Sequence, residues 1–180
     1  MKIENINLTL SDKFKLENIT AEFGNGINLI KGESGKGKTT LLNIISGLIK
    51  PGSGEIIDAG KVSYMFQDAR LLPWFTISKN CSIREKEKGL GDKLLESLGL
   101  EEYKNSYPSE LSGGMKKRAA LAMTLATDFD TVLLDEPFAG LDEENIENSL
   151  RLIREYTKDK CAVMVSHVEA DEDINVALTL

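Results

Sequence analysis

Residues 27–39 read Ile27-Asn28-Leu29-Ile30-Lys31-Gly32-Glu33-Ser34-Gly35-Lys36-Gly37-Lys38-Thr39. The first five are a short, mostly apolar run ending at a glycine, the pattern of a buried strand entering a tight turn. The next eight fit G-x-x-x-x-G-K-[ST]. Thr40 to Ile49 then carry Leu and Ile at helical spacing until Pro51-Gly52-Ser53-Gly54 stops them. Strand, glycine loop and helix is the order that phosphate binding needs: the loop glycines let backbone N–H groups turn inward around phosphate oxygens, and the helix N-terminus adds its positive dipole end. Lys38 reaches the β and γ phosphates of a bound triphosphate and Thr39 offers its hydroxyl to Mg²⁺, with Gly32, Glu33, Ser34, Gly35, Lys36, Gly37 and Thr40 completing the cradle. The plain alternative is a chance glycine turn before a helix; the flanking strand and helix weigh against it.

Working outward, Ile6, Leu8 and Leu10 alternate as an early strand, and Lys61–Phe66 reads as another. Leu94, Leu95 and Leu98 mark a short amphipathic helix over 91–100. Thr131–Asp135 is an apolar strand, Glu143–Tyr156 a helix with Ile146, Leu150 and Ile153 on one face, and Ala162–Ser166 a strand. Alternation from Ile174 to Leu180 suggests a last strand. Strands alternating with helices predict an α/β fold with a mainly parallel sheet. The chain reads as a single domain over 1–180, its core made of 1–67 and 128–180, with 68–127 inserted as a helical subdomain.

Composition bounds the functions available. With 180 residues, 41% hydrophobic and 28% charged, the chain has the profile of one soluble globular domain, which excludes a collagen, a disordered tail or a disulfide scaffold. The net charge of −7, with Lys and Arg scattered, argues against nucleic acid as a partner. Cys81 and Cys161 stand far apart with no ligand-spaced neighbour, so neither a disulfide framework nor zinc is expected, and a reducing cytosol fits best. The N-terminus lacks a basic-then-apolar leader, and no apolar run approaches the roughly 20 residues of a membrane span. The expectation is a chain that is neither secreted nor self-inserting.

A second constellation narrows the chemistry. Thr131-Val132-Leu133-Leu134-Asp135-Glu136 delivers two adjacent carboxylates to the end of a strand, the edge where open α/β sheets bind ligands. Asp135 is suited to hold Mg²⁺ through water and Glu136 to polarise an attacking water. Alternatively, Asp-Glu-Pro simply begins a loop. Leu111-Ser112-Gly113-Gly114-Met115 opens a helix running through Lys116 to Ala126, where Ser112 alone would be read as an N-cap. Together with Gln67 at a strand end, Ala139-Gly140-Leu141-Asp142 and Ser166-His167, these motifs stand in an order that resembles the ATP-binding-cassette (ABC) family over almost the whole chain.

The resemblance implies a RecA-like P-loop NTPase core with a small N-terminal antiparallel β part and a helical subdomain. It implies ATP and Mg²⁺ as cofactors, with Thr39, Gln67 and Asp135 toward the metal and Lys38, Gln67, Glu136 and His167 as the catalytic set. His167, the sole histidine, resembles the switch histidine that contacts the γ-phosphate, and Gln67 the Q-loop glutamine. It also implies a head-to-tail dimer, of two copies or with a second ABC subunit, in which Leu111, Ser112, Gly113, Gly114 and Met115 act on the partner's nucleotide and Asp142 lies across the seam. The expected partners are an integral membrane permease and a solute-binding protein, with no nucleic acid, and the expected place is cytoplasmic and peripheral on the membrane. The run Met65 to Trp74, together with Leu111–Met115, is most similar to importer ATPases of the nitrate, sulfonate and taurine type, in which a groove beside the Q-loop accepts a coupling helix of the permease, a role that exposed Leu72, Pro73, Trp74 and Phe75 would suit; the alternative is that Trp74 and Phe75 pack the subdomain core. A soluble non-transport ABC ATPase, a nucleotide-dependent interaction module and a small-molecule kinase are the competing readings. Two departures stand out. Leu10 falls where the family places an adenine-stacking aromatic, with Phe14 the nearest substitute, and the chain is shorter than usual members.

Overall fold

Side chains one apart on a strand point to opposite faces, and on the central strands here both faces are covered, so those strands are mainly apolar, with Asn28, Thr131 and Asp135 as buried polar exceptions. The computed structural model describes residues 1–11, 14–167 and 174–180, with the backbone alone at Leu10 and Ser11. In chain order the described residues form β1 (Lys2–Ser11), β2 (Phe14–Glu22), β3 (Gly26–Lys31), α1 (Lys38–Ile45), β4 (Ser53–Ile57), β5 (Val62–Met65), α2 (Ile77–Ser82), α3 (Leu90–Ser97), α4 (Gly113–Leu125), β6 (Thr131–Asp135), α5 (Glu143–Thr157), β7 (Cys161–Val165) and β8 (Ile174–Thr179). Single 3₁₀ turns at Glu101–Tyr103 and Pro108–Glu110 lead into α4.

Five strands make a parallel sheet in the order β5-β6-β7-β3-β8, and β2-β1-β4 make an antiparallel one. Ile30, Leu133, Val163 and Val165 face α1 and the antiparallel sheet, meeting Leu41, Leu42, Ile44 and Ile45 with Ile3, Ile6 and Leu16. Leu29, Val132, Leu134, Ala162 and Met164 face the other way, onto α4, α5 and the helices between β5 and β6. Each fully buried Leu or Ile contributes about 1.5–3 kcal/mol relative to exposure. The register aligns the strand ends: Ile30 and Asp135 both stand opposite Val165, and Met65 opposite Leu134. The glycine loop, Gln67, Glu136 and His167 therefore leave the sheet along one carboxyl edge.

The elements depart from their sequence reading where local chemistry outweighs pattern. Helix α1 ends at Ile45, not Ile49, because Gly47 adopts φ 76° and turns the chain so that Ile49 N–H donates to the Asn43 carbonyl at 3.0 Å. The apolar spacing ran on through Leu48, which is 61% exposed. Strands β2 and β4 were not read individually, since β2 buries only Leu16 and Ala21 and β4 buries no residue fully. Helix α2, six residues long, is too short to show a period. Among the described residues no helix is long and apolar enough to cross a membrane.

Candidate functional site

Lys31 ends β3 and the next six residues form the loop that leads into α1. Gly37, the N-cap of α1, has φ 97°, and a Cβ there would meet Leu16 Cδ2 and Phe14 Cζ at 2.8 Å each. Glycine is thus required by backbone conformation and by the Phe14 ring lying over it. The first helical hydrogen bond runs from Leu41 N–H to the Gly37 carbonyl. This leaves the amides of Lys38, Thr39 and Thr40 without carbonyls inside the helix, at its positive end. Lys38 Nζ donates to the carbonyls of Gly32 (2.8 Å) and Glu33 (2.9 Å), which uses two of its three protons and closes the loop on the ammonium.

Phe14, Ser34, Gly35, Gly37, Lys38, Thr39, Thr40, Gln67, Asp135 and Glu136 line one cleft of about 360 Å³, together with Val165. Of the expected cradle, Gly32, Glu33 and Lys36 contribute loop geometry without lining the cleft. Asp135 is 1% exposed, and both its carboxylate oxygens are buried with no hydrogen-bond partner among the described residues. Burial holds its carboxyl above the ordinary range against the opposing pull of Thr39, Lys117, Tyr64 and Lys38. Thr39 and Tyr64 come near without completing a hydrogen bond of normal geometry. Buried acceptors normally find partners, and a hard divalent cation with its waters is one that two bare oxygens suit. Thr39, Gln67 and Asp135 share the cleft, so the residues present fit Mg²⁺.

Glu136 has φ 49°, a left-handed conformation that costs a non-glycine residue about 1–3 kcal/mol. Its N–H donates to the Val165 carbonyl at 2.9 Å, and its carbonyl accepts from Lys117 Nζ at 3.0 Å, so the peptides on both sides of the strained residue are held. His167, with a side chain 83% exposed, places Nε2 3.6 Å from Glu136 Oε1, an ion pair when the imidazole is protonated. The position of Leu10, read as the place of a missing stacking ring, is in β1, and its side chain lies outside the described residues.

Ser112, Gly113, Gly114 and Asp142 line a different cleft of about 530 Å³. Ser112 caps α4 by accepting from Met115 N–H at 3.2 Å, and Asp142 caps α5 by accepting from Asn145 N–H at 2.9 Å. That bond holds the Asp142 carboxyl below the ordinary range. Leu111 is buried and Met115 packs against the core, so these two anchor the helix start and do not line its cleft. Within one chain, therefore, the glycine loop and the Ser112 helix start are not brought together. Trp74 is 65% exposed, which removes the reading that it packs a subdomain core. The sequence reading missed Lys117 and Tyr64. A lysine just ahead of the small apolar run Ala119-Ala120-Leu121-Ala122 on the same helix was the available signal for the first.

A family model described as ABC transporter matches residues 16–139, which span the glycine loop, Gln67, the start of α4 and Asp135-Glu136. The chain belongs to the ABC transporter family. It is 41% identical over 167 residues to the uncharacterized ABC transporter ATP-binding protein YtlC of Bacillus subtilis (strain 168), covering 82% of this chain and 63% of that protein. It is 42% identical over 142 residues to the aliphatic sulfonates import ATP-binding protein SsuB of Bacillus cereus (strain ZK / E33L), covering 71% of this chain and 56% of that protein. The chain thus spans less than two thirds of the length of these ABC relatives. Its fold is similar to the dimeric post-hydrolysis state of the ATP-binding cassette MJ0796 bound to ADP and Pi, with a TM-score of 0.80, 27% identity and coverage of 93% of this chain and 88% of that one.

Proposed function

We propose that this ABC-family chain binds ATP with Mg²⁺ and hydrolyses it to ADP and phosphate in a head-to-tail pair of cassettes that drives a separate membrane permease. The observation that carries the reading is the meeting of Lys38, the unpartnered Asp135 carboxylate and Glu136 in one cleft, while Ser112 faces another cleft of the same chain. A chain with one copy of each half needs a second chain to enclose a nucleotide. The α1 N-terminus and Lys38 bind the phosphates, and the Ser112 helix start of the partner supplies a second positive helix end. Glu136, aimed by its pinned backbone, orients water for in-line attack, and His167 beside it helps hold that water and the γ-phosphate. Thr39, Gln67 and Asp135 would hold Mg²⁺, which neutralises charge on the phosphates when bound. In this reading 1–67 and 128–180 form the NTPase core and 68–127 the helical subdomain.

A groove of about 410 Å³, lined by Leu48, Tyr64, Phe66, Leu72, Ile83 and Met123 among others, supports the permease as partner. It is apolar enough for a short helix, and Trp74 stands exposed two residues beyond Leu72. The likeness to a sulfonate import protein supports an importer, with a solute-binding protein in the complex and the chain at the cytoplasmic face of the membrane. Phosphate release by the wild type and its loss in Glu136→Gln, with ATP binding kept, test the reading. Retained turnover in the variant would contradict it.

A further inference from the structure

Lys117 is a half-buried cation that none of the steps above employs. It lies in the second turn of α4, near the end of the helix where the dipole does nothing to favour a positive charge. Desolvation holds its ammonium below the ordinary lysine range, although Asp135, Asp68 and Glu136 oppose that shift. A leucine or methionine would fill such a place at lower cost, so the lysine calls for a specific reason. Its contacts supply one: Nζ donates to two backbone carbonyls from different segments, that of Gln67 just past β5 and that of Glu136 just past β6, the latter at 3.0 Å.

Both acceptors belong to residues whose side chains line the nucleotide cleft. The same lysine also lines the cleft that Ser112 faces. Glu136 depends on the contact most, because its strained φ of 49° persists only while its neighbours hold it. With the N–H tied to Val165 on β7 and the carbonyl tied to Lys117 on α4, the direction of the carboxylate is set by two elements that contribute to the same hydrophobic core.

We infer that Lys117 is a positioning residue: its ammonium ties the start of α4 to the backbones of Gln67 and Glu136. The helix that offers Ser112 to a partner's nucleotide and the carboxylate that acts on the chain's own nucleotide are thereby held in one arrangement. This rests on the hydrolytic reading proposed above and adds a group that couples its two halves. Lys38 and Thr39 are untouched by Lys117, so nucleotide affinity and turnover separate when it is changed.

The test compares the wild type with Lys117→Met, which keeps the stem and removes the donor, and with Lys117→Arg, which keeps charge and donors. Three quantities are read: MgATP affinity, phosphate release, and amide hydrogen exchange in the segments around Gln67 and Glu136. The methionine variant is expected to keep ATP affinity within about threefold, to lose about tenfold or more in kcat, and to exchange about tenfold faster in both segments with α5 unchanged. Arginine is expected to restore most of the lost kcat. Unchanged exchange in both segments, unchanged kcat, or affinity falling in step with kcat would overturn the inference. A wild type that releases no phosphate would instead overturn the hydrolytic reading, and the exchange data would still decide whether Lys117 ties the two segments. Should methionine unfold the chain, Lys117→Gln, a shorter neutral donor, gives the same comparison with an intermediate loss.

Discussion

Asp135 is where stability and chemistry oppose each other. Its folded pKa is raised above the ordinary 3.8 by burial, so ionising it costs the ligand-free protein stability. Asp135→Asn removes that cost. The variant is expected to be about 0.5–2 kcal/mol more stable than wild type at neutral pH, and to lose Mg²⁺-dependent turnover. The gain should shrink as pH falls through the folded pKa of Asp135 and vanish below 3.8, where the wild-type carboxyl is protonated in both states. Thermal melts across pH without added metal check it. Lys38→Ala acts the other way: it deletes a charge-assisted phosphate contact, and ATP affinity measured by nucleotide titration should fall by about tenfold or more. The motif residues were legible because phosphate and water chemistry call for their types, and because their order along the chain resembles that of the ABC family. Lys117 and Tyr64 were not, since their contacts join segments far apart in sequence. Tyr64, for instance, reaches Asp135 only because β5 and β6 lie side by side.

At the scale of elements, the segment after Gln67 is held by one buried side chain. Asn80 in α2 is 1% exposed, accepts from Leu72 N–H at 2.7 Å, and donates to the carbonyls of Leu72, Phe75 and Thr76. It closes the loop that carries the exposed Trp74, with no regular structure to do so. Asn80→Ala strands these backbone groups, and a loss of about 2–4 kcal/mol is expected in urea unfolding, with early loosening reported by Trp74, the sole tryptophan. An unchanged midpoint would show that the loop holds itself. Central strands and long helices were readable because burial on both faces leaves a continuous apolar run and burial of one stripe leaves a helical period. Helix α2 and strands β2 and β4 were not, as their order comes from hydrogen bonds and pairing partners that composition does not display. The small antiparallel part was expected only through family resemblance, not from β2 itself.

For the whole molecule, among the described residues one cleft gathers the glycine loop and the carboxylates, another is lined by the Ser112 helix start, and a groove is lined by Leu48, Phe66 and Leu72. No single chain brings its own two clefts together, and the proposed function follows from that separation. Nucleotide is then part of the interface between chains, so its binding free energy becomes association free energy. Blocking the chemistry while keeping the ligand should trap the pair, because Glu136→Gln preserves shape and removes the carboxylate that orients water. Light scattering on size-separated Glu136→Gln, with and without ATP in the absence of Mg²⁺, measures this directly. The account predicts monomer without nucleotide and dimer with it; a variant that stays monomeric at saturating ATP while the wild type still releases phosphate would contradict it.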